Sequence, residues 1–211
     1  FLYQTGDPTL LNEIQNTLSL NANWRWLTLT GAYEVVDNAI YQLGYPYDDD
    51  CTAMVKYSNA KETVRKLNIY LNASPTVGIW NPRYTVGMEK QYFETTVIDP
   101  RESTGTRVVK RNDPMFFVQA NNSFKLKQGW LIDLDYQYTS PFDYVMYKFT
   151  KPKHGLNLAV SKSFLKHDAL NVRLAWNDIL NKTKEHVCTD YGNFIHSQNN
   201  DYNSPCVQLR L

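Results

Sequence analysis

The sequence predicts an all-β protein: an antiparallel up-and-down β-barrel wall that crosses a membrane with strands. Three observations predict it. Apolar and polar side chains alternate with period 2 in one segment after another, as the two faces of a strand require. The connections between these segments alternate short and long, which in a meander puts every short turn at one end. The composition is 14% aromatic, with 15 Tyr, 9 Phe and 5 Trp, and Trp24, Trp26, Trp80 and Trp130 all fall at the short-turn end.

The clearest element is the hairpin within 154–180. Leu156, Leu158, Val160 and Phe164 oppose Asn157, Ala159, Ser161 and Ser163. After a Lys166-His167-Asp168 turn, Leu170, Val172, Leu174 and Trp176 oppose Asn171, Arg173, Ala175 and Asn177. The same pattern gives the other strands. Residues 14–24 carry Leu18, Leu20, Ala22 and Trp24 on one side, and the Arg25-Trp26 turn leads to a second strand with Leu27, Leu29, Gly31 and Tyr33. Residues 62–74 carry Val64, Leu67, Ile69, Leu71 and Ala73, with a phase slip near Arg65-Lys66. Residues 83–95 carry Tyr84, Val86, Met88 and Tyr92; 115–126 carry Phe116, Val118, Ala120 and Phe124; 130–138 carry Trp130, Ile132, Leu134, Tyr136 and Tyr138. A ninth strand begins within 204–211. Four long loops, 37–61, 97–113, 139–153 and 181–203, join the strands, the last of them mostly polar.

Alternation alone does not say which face looks inward. A soluble lipocalin-like barrel or β-sandwich hides its apolar face, whereas an outer-membrane barrel turns it to lipid. Four features favour lipid. The loops are asymmetric, as in barrels with short periplasmic turns and long extracellular loops. The tryptophans at one end resemble an interfacial girdle. The polar face is mostly Asn, Ser, Thr and Gln, where a solvated sheet would carry more Lys and Glu. Strands of ~9–11 residues match a tilted crossing of the hydrocarbon, where only a closed barrel satisfies the backbone. A soluble extracellular β-sandwich binding module is the alternative.

The bulk numbers agree. No run of ~18 apolar residues is present to form a membrane helix. Net charge is +1 and mean hydropathy −0.49, so nothing points to a polyanion such as nucleic acid. The chain starts at Phe1 rather than Met, the strand count is odd and the last strand is interrupted. These features predict a piece of a larger barrel, with strands missing upstream and a few residues missing downstream.

The candidate site residues lie on the polar face. Asp133 and Asp135 share one side of the sixth strand. In a glycosidase such a pair would be acid and base. On a lumen face it tunes selectivity or holds a polar ligand or a plug residue, with Arg173 as an ion-pair partner. Gln137 and Glu89 are further lumen-facing candidates. Cys188 and Cys206 are candidates for a disulfide in an oxidising compartment, with free thiols as the alternative and Cys51 left over. Asp48-Asp49-Asp50 lack the alternating spacing that wraps calcium. His154, His167, His186 and His196 show no zinc-ligand spacing. No phosphate loop or nucleophile elbow appears, so neither an enzyme nor a cofactor or metal is predicted. Tyr and Phe in the long loops could stack on a sugar or an aromatic ligand.

Three stretches carry a family resemblance. Gly6-Asp7-Pro8-Thr9-Leu10-Leu11-Asn12-Glu13 is similar to a Gly-Asn-Pro-x-Leu-x-Pro-Glu segment that leads into a descending strand, with Asp7 for Asn and Asn12 for the second Pro. Residues 169–181, ending Trp176-Asn177-Asp178-Ile179-Leu180-Asn181, resemble a penultimate strand closing in Val-x-Asp-hydrophobic-Phe-Asn, with Leu180 for Phe. Residues 204–211 resemble the start of a closing strand without its aromatic end. Together they resemble the C-terminal part of a TonB-dependent outer-membrane receptor of the kind found in Bacteroidetes. The resemblance covers essentially the whole chain. It implies a barrel of about 22 strands, filled by an N-terminal plug domain that this chain lacks. It also implies energy-coupled uptake of a scarce nutrient (glycan, peptide or metal chelate). The implied partners are outer-membrane lipid, an inner-membrane energy-coupling complex reached through the N-terminal part, and a surface lipoprotein lid. A barrel subunit of a surface complex without transport is the alternative.

Overall fold

The computed structural model describes residues 2–46, 53–165, 169–192, 194–201 and 205–210. Asp48-Asp49-Asp50, Cys51 and His167 lie outside them. The first half of the chain forms β1 (Leu2–Thr5), β2 (Ile14–Trp24), β3 (Leu27–Asp37), β4 (Ile40–Pro46), β5 (Ala53–Asn59), β6 (Val64–Ala73), β7 (Trp80–Ile98) and β8 (Thr106–Arg111). The second half forms β9 (Met115–Lys125), β10 (Trp130–Thr139), β11 (Phe142–Tyr144), β12 (Tyr147–Phe149), β13 (Lys153–Phe164), β14 (Leu170–Asn177), β15 (Glu185–Asp190), β16 (Ile195–Asn200) and β17 (Cys206–Arg210).

Nine of these strands make one antiparallel wall in the order β17-β14-β13-β10-β9-β7-β6-β3-β2, with β8 added to the far end of β7. Each corresponds to one of the nine strands read from the sequence. The wall is open among the described residues, with β2 and β17 at its edges. Its register is staggered. A row of directly opposite residues runs from Trp24 through Leu27, Ala73, Tyr84, Ala120 and Tyr136 to Leu156. Trp24 lies at the short-turn end of β2 and Leu156 near the long-loop end of β13, so the strands are tilted and sheared as a barrel wall requires.

The register sorts the two faces. Leu29, Leu71, Val86, Val118 and Tyr138 are cross-strand neighbours on one side, continued by the row Leu134, Leu158, Trp176, Val207. Asn72, Thr85, Gln119 and Gln137 are neighbours on the other. The apolar side is uncovered: Leu18 is 76% exposed, Leu174 52% and Leu209 65%. A sandwich would have laid a second sheet on this side, and none lies there among the described residues.

The long loops differ from the sequence expectation. They are not irregular polar stretches. The 37–61 loop holds the β4–β5 hairpin, with β1 added parallel to β5. The third and fourth loops share a sheet in the order β11-β12-β15-β16. The hydrophobic core sits here, in a cap at the long-loop end, and gathers Val36, Tyr41, Leu43, Ala60, Val64, Phe93, Val97, Val109 and Met146.

β7 shows how one strand serves both parts. Up to Met88 its apolar residues face outward. From Gln91 onward the pattern inverts: Gln91, Phe93, Thr95 and Val97 are buried, whereas Tyr92, Glu94 and Thr96 are exposed. The inversion marks where the strand leaves the uncovered apolar band and its inner face becomes the floor of the cap. It also removes the phase slip expected near Arg65-Lys66. β6 pairs with β7 without a break from Arg65 opposite Tyr92 to Ala73 opposite Tyr84. Val64 keeps the inner phase and is buried in the cap core.

Of the two alternatives for Cys188 and Cys206, the structure has the free thiols and not the candidate disulfide. Cys188 is paired into the cap sheet on β15, opposite Lys148 and Ser197. Cys206 opens β17 in the wall, where its Sγ accepts a hydrogen bond from Asn177 Nδ2 at 3.6 Å. The two thiols are committed to different sheets.

Candidate functional site

The inner face of the wall carries the polar residues. Asn81, Ser123, Asp133, Ala159, Ala175 and Gln208 form one cross-strand row, and Arg83, Asn121, Asp135 and Asn157 the next. Arg173 lies opposite Ser161 and reaches over β13 to Asp133, with Nη1 2.7 Å from Oδ2. The small side chain of Ala159, opposite Asp133, leaves room for that crossing. Ser123 Oγ donates to the other oxygen of Asp133 at 2.9 Å, and Arg173 Nη1 also donates to Ser161 Oγ at 3.3 Å. Asp133 is therefore engaged from both sides. Asp135, two residues further along, makes no ion pair among the described residues.

Nearer the cap, Gln137 stands beside Gly155, whose missing side chain leaves space for it: a Cβ there would lie 2.6 Å from Gln137 Nε2. On β7, Glu89 accepts a hydrogen bond from Tyr70 Oη. Tyr70 and Phe117 flank Gly87 from opposite sides, and their rings meet over it at 5.5 Å. A Cβ at Gly87 would fall 2.3 Å from the Phe117 ring, so this crossing of aromatics needs glycine.

Above these residues β11 overhangs the wall. Lys66, Asn68, Glu89, Gln91 and Met115 of the wall face Phe142, Asp143 and Tyr144 across a small hollow. Gln91 fastens the overhang: its Oε1 accepts from Val145 N–H at 2.7 Å and its Nε2 donates to the Arg111 carbonyl at 3.2 Å. Asp143 is buried and accepts from Asp113 N–H at 3.0 Å, with Lys148 Nζ 3.9 Å away. The hollow combines charged groups of both signs with aromatic rings.

A second cluster locks the cap. Asp99 is buried and receives Arg101 Nε at 2.8 Å and Arg107 Nε at 3.0 Å. Arg107 Nη2 continues to Asp190 at 2.9 Å, and Arg101 Nη2 donates to the Gly192 carbonyl at 3.1 Å. The β7–β8 turn is thereby tied to the end of β15. Hydrogen bonds from Arg101 hold the Asp99 carboxyl well below the usual carboxylate range. A carboxyl lowered by folding stabilises the fold above its unfolded value and loses that contribution as pH falls through the folded value. The clamp is expected to hold through mild acid and to open only well below about pH 4, the unfolded carboxylate value. Hydrogen exchange of residues 99–107 across the acid range checks this; loss of protection already near pH 6, two units above about 3.9, would contradict it.

Of the sequence candidates, the structure brings Asp133 and Arg173 together, leaves Asp135 and Gln137 separate on the same wall, and places Glu89 with Tyr70. His154 is on the outer face, with Nδ1 3.1 Å from Tyr136 Oη, and His186 pairs with Asn199. Among the described residues no group of His, Cys, Asp or Glu is assembled for a metal. Sequence reasoning missed Asp99, Arg107, Asp190, Gln91 and Asp143. The one available signal was Phe93-Glu94-Thr95-Thr96-Val97, which continues the alternation of β7 in opposite phase.

The whole chain, residues 1–211, matches the model of a family described as Outer membrane protein beta-barrel family. The chain belongs to this family. No curated protein and no solved structure matches it. The protein is therefore an outer-membrane one, and its uncovered apolar face meets lipid. As in the family's barrels, the short turns are expected on the periplasmic side and the cap outside. Trp24, Trp26, Trp80, Trp130 and Phe164 gird the short-turn end, with Arg25 5.4 Å over Trp24 and Lys162 4.6 Å over Trp130. Tyr33, Tyr92, Phe116 and Tyr138 gird the other, with Lys90 4.9 Å over Tyr92. From Trp130 to Tyr138 the wall runs about 27 Å along the strand at ~3.4 Å per residue. After a ~40° tilt this is about 21 Å, close to the ~25 Å apolar band of such barrels. Asn122, a polar residue on the outer face, is capped by Trp80 Nε1 at 3.0 Å and Tyr84 Oη at 2.8 Å.

Proposed function

We propose that this wall is the C-terminal part of a TonB-dependent receptor, which takes up a scarce nutrient (glycan, peptide or metal chelate) through a plugged barrel. The observation that carries the proposal is the inner face. It is broad and polar, and it presents an ion pair, Asp133–Arg173, beside Asp135, a carboxylate without an ion pair among the described residues. A wide barrel needs its lumen filled, and such a face suits a hydrophilic plug and a polar solute. The motifs around Asp7 and Asp178 support the same reading. On it, the cap end receives the ligand, a surface lipoprotein closes over the cap, and the inner-membrane complex acts through a plug outside this chain. The engagement of Asp133 by Arg173 argues against an acid–base pair with Asp135, which supports reading this face as a lumen lining rather than a glycosidase site.

The test is Asp135→Lys in the full-length protein. Uptake is expected to fall at least tenfold while assembly and surface level stay unchanged. Unchanged uptake would remove Asp135 from the account, and uptake insensitive to a protonophore would remove energy coupling. The well-packed cap favours a second reading, a subunit of a surface complex without transport; cells lacking the protein would then import every nutrient normally.

A further inference from the structure

Charge is distributed unevenly along the barrel axis. The chain as a whole is balanced, with 22 Lys and Arg against 21 Asp and Glu. The short-turn rim is not. In the described residues of the four short connections, and in the three strand residues on either side of each, the charged side chains are Arg25, Lys125, Lys127 and Lys162, and no carboxylate is present. The sequence adds Lys166, His167 and Asp168 in the remaining turn. None of the four cations forms an ion pair among the described residues. At the cap end, by contrast, carboxylates accompany the cations and several pairs form, as in Asp99–Arg107–Asp190, Lys110–Glu94 and Lys153–Glu185.

Two of the rim cations are held on the lipid side. The Lys162 ammonium lies 4.6 Å from the centre of the Trp130 ring and 5.5 Å from that of Phe164, both outward-facing girdle residues. The Arg25 guanidinium lies 5.4 Å over Trp24, another girdle ring. Lys127 is exposed in the β9–β10 turn, whose Gly129 packs against Ser163, the residue after Lys162 on β13. A ring face partly compensates a cation but leaves its outer hydrogens unmet. The position is the headgroup level, where Lys stems run along apolar surface and their charged ends reach the interface.

We infer that the rim formed by Lys162, Lys127 and Trp130 binds the phosphate headgroup of an anionic phospholipid in the leaflet that meets the short turns, with Arg25–Trp24 as a second contact. Charge complementarity selects the occupant: cations that outnumber the rim's carboxylates, of which the described residues hold none and the sequence adds Asp168, are continuous with the lipid-facing band and suit a lipid phosphate. A soluble acidic protein would be met by cations pointing past the turns, not by cations laid on outward rings. The inference requires only the barrel and its membrane, not transport.

Native mass spectrometry of the full-length protein, released from mixed phosphatidylglycerol–phosphatidylcholine micelles, tests it. The protein is expected to retain phosphatidylglycerol over phosphatidylcholine, with retention falling about fivefold for each cation removed, the effect of one Lys or Arg near an anionic surface. The Lys162→Gln, Lys127→Gln double variant is expected to lose the preference and Lys162→Arg to keep it, each verified as folded by a boiling-dependent gel shift. About 1 M NaCl, where the screening length is ~3 Å, is expected to erase the preference. Equal retention of the two lipids by the unaltered protein, or a double variant that still prefers phosphatidylglycerol, would overturn the inference and leave the cations to a soluble acidic partner.

Discussion

Arginine at Leu134 is expected to block assembly of the barrel. Leu134 sits midway between Trp130 and Tyr138 on the outer face of β10, beside Leu158. A lipid-facing arginine near the bilayer midplane costs about 2–4 kcal/mol, a large fraction of the ~5–15 kcal/mol stability of a typical domain. The matched control is Asn121→Lys, one position along the row from Asp135 on the inner face. There the new ammonium meets water and an unpaired carboxylate, so folding is expected to be preserved. Urea titration in lipid vesicles, followed by gel mobility without boiling, reads both variants. A tolerated arginine at Leu134 together with a destructive lysine at Asn121 would mean that the faces are reversed.

The second large effect is expected from Phe93→Ala. Phe93 is 1% exposed and meets Tyr41 edge-on at 5.3 Å. Truncating a buried Phe costs about 3–5 kcal/mol. The loss falls on the cap, because Phe93 lies beyond the inversion of β7 and packs within the cap core. Limited proteolysis is expected to cut within 38–63 and 99–114 while the wall stays resistant and keeps its boiling-dependent mobility. A cap that stays uncut, or a wall that unfolds with it, would contradict the division of the chain into wall and cap.

The wall was legible in the sequence because period 2 is a local signal: every outward Leu, Val and Trp from Leu18 to Leu209 announces its own face. The Asp133–Arg173 pair was legible for the same reason, since both lie on the polar phase of strands one apart. The cap was not legible. Its core joins Tyr41, Phe93 and Met146, which no local window contains, and its clamp joins Asp99 to Asp190. Its strands are short, and on β7 the phase that means "toward lipid" below Met88 means "away from the core" above Gln91. Val64 read as a phase slip because it belongs to the cap although its strand belongs to the wall. Between a Cys188–Cys206 disulfide and two free thiols the sequence could not choose, because proximity within one loop does not say which sheet each cysteine joins.

The motif residues have physical roles that sequence alone did not supply. Asp7 Oδ1 accepts from the Thr9 amide at 2.9 Å and its hydroxyl at 2.6 Å, while Oδ2 lies 2.9 Å from Lys56 Nζ. Aspartate thus makes a side-chain-capped turn of the kind Asp and Asn both favour, and adds an ion pair to β5. Asp178 ends β14 at φ 47° and is buried; its amide donates to Asn157 Oδ1 at 2.8 Å and its carboxylate accepts from Thr183 Oγ1 at 2.8 Å. Asn181, at φ 50°, closes the same turn by donating to the Asp178 carbonyl at 2.9 Å. Asp and Asn at these positions accept the left-handed backbone and pin the strand end to β13.

The central claim is that the uncovered apolar face meets lipid in a closed barrel. The most direct test is the gel mobility of the full-length native protein in detergent, with and without boiling. A shift on boiling is the predicted result, because a closed hydrogen-bonded wall resists the detergent until heated. Identical mobility, together with a chain that is folded and monodisperse in detergent-free buffer, would contradict the claim and require the apolar face to be an internal core.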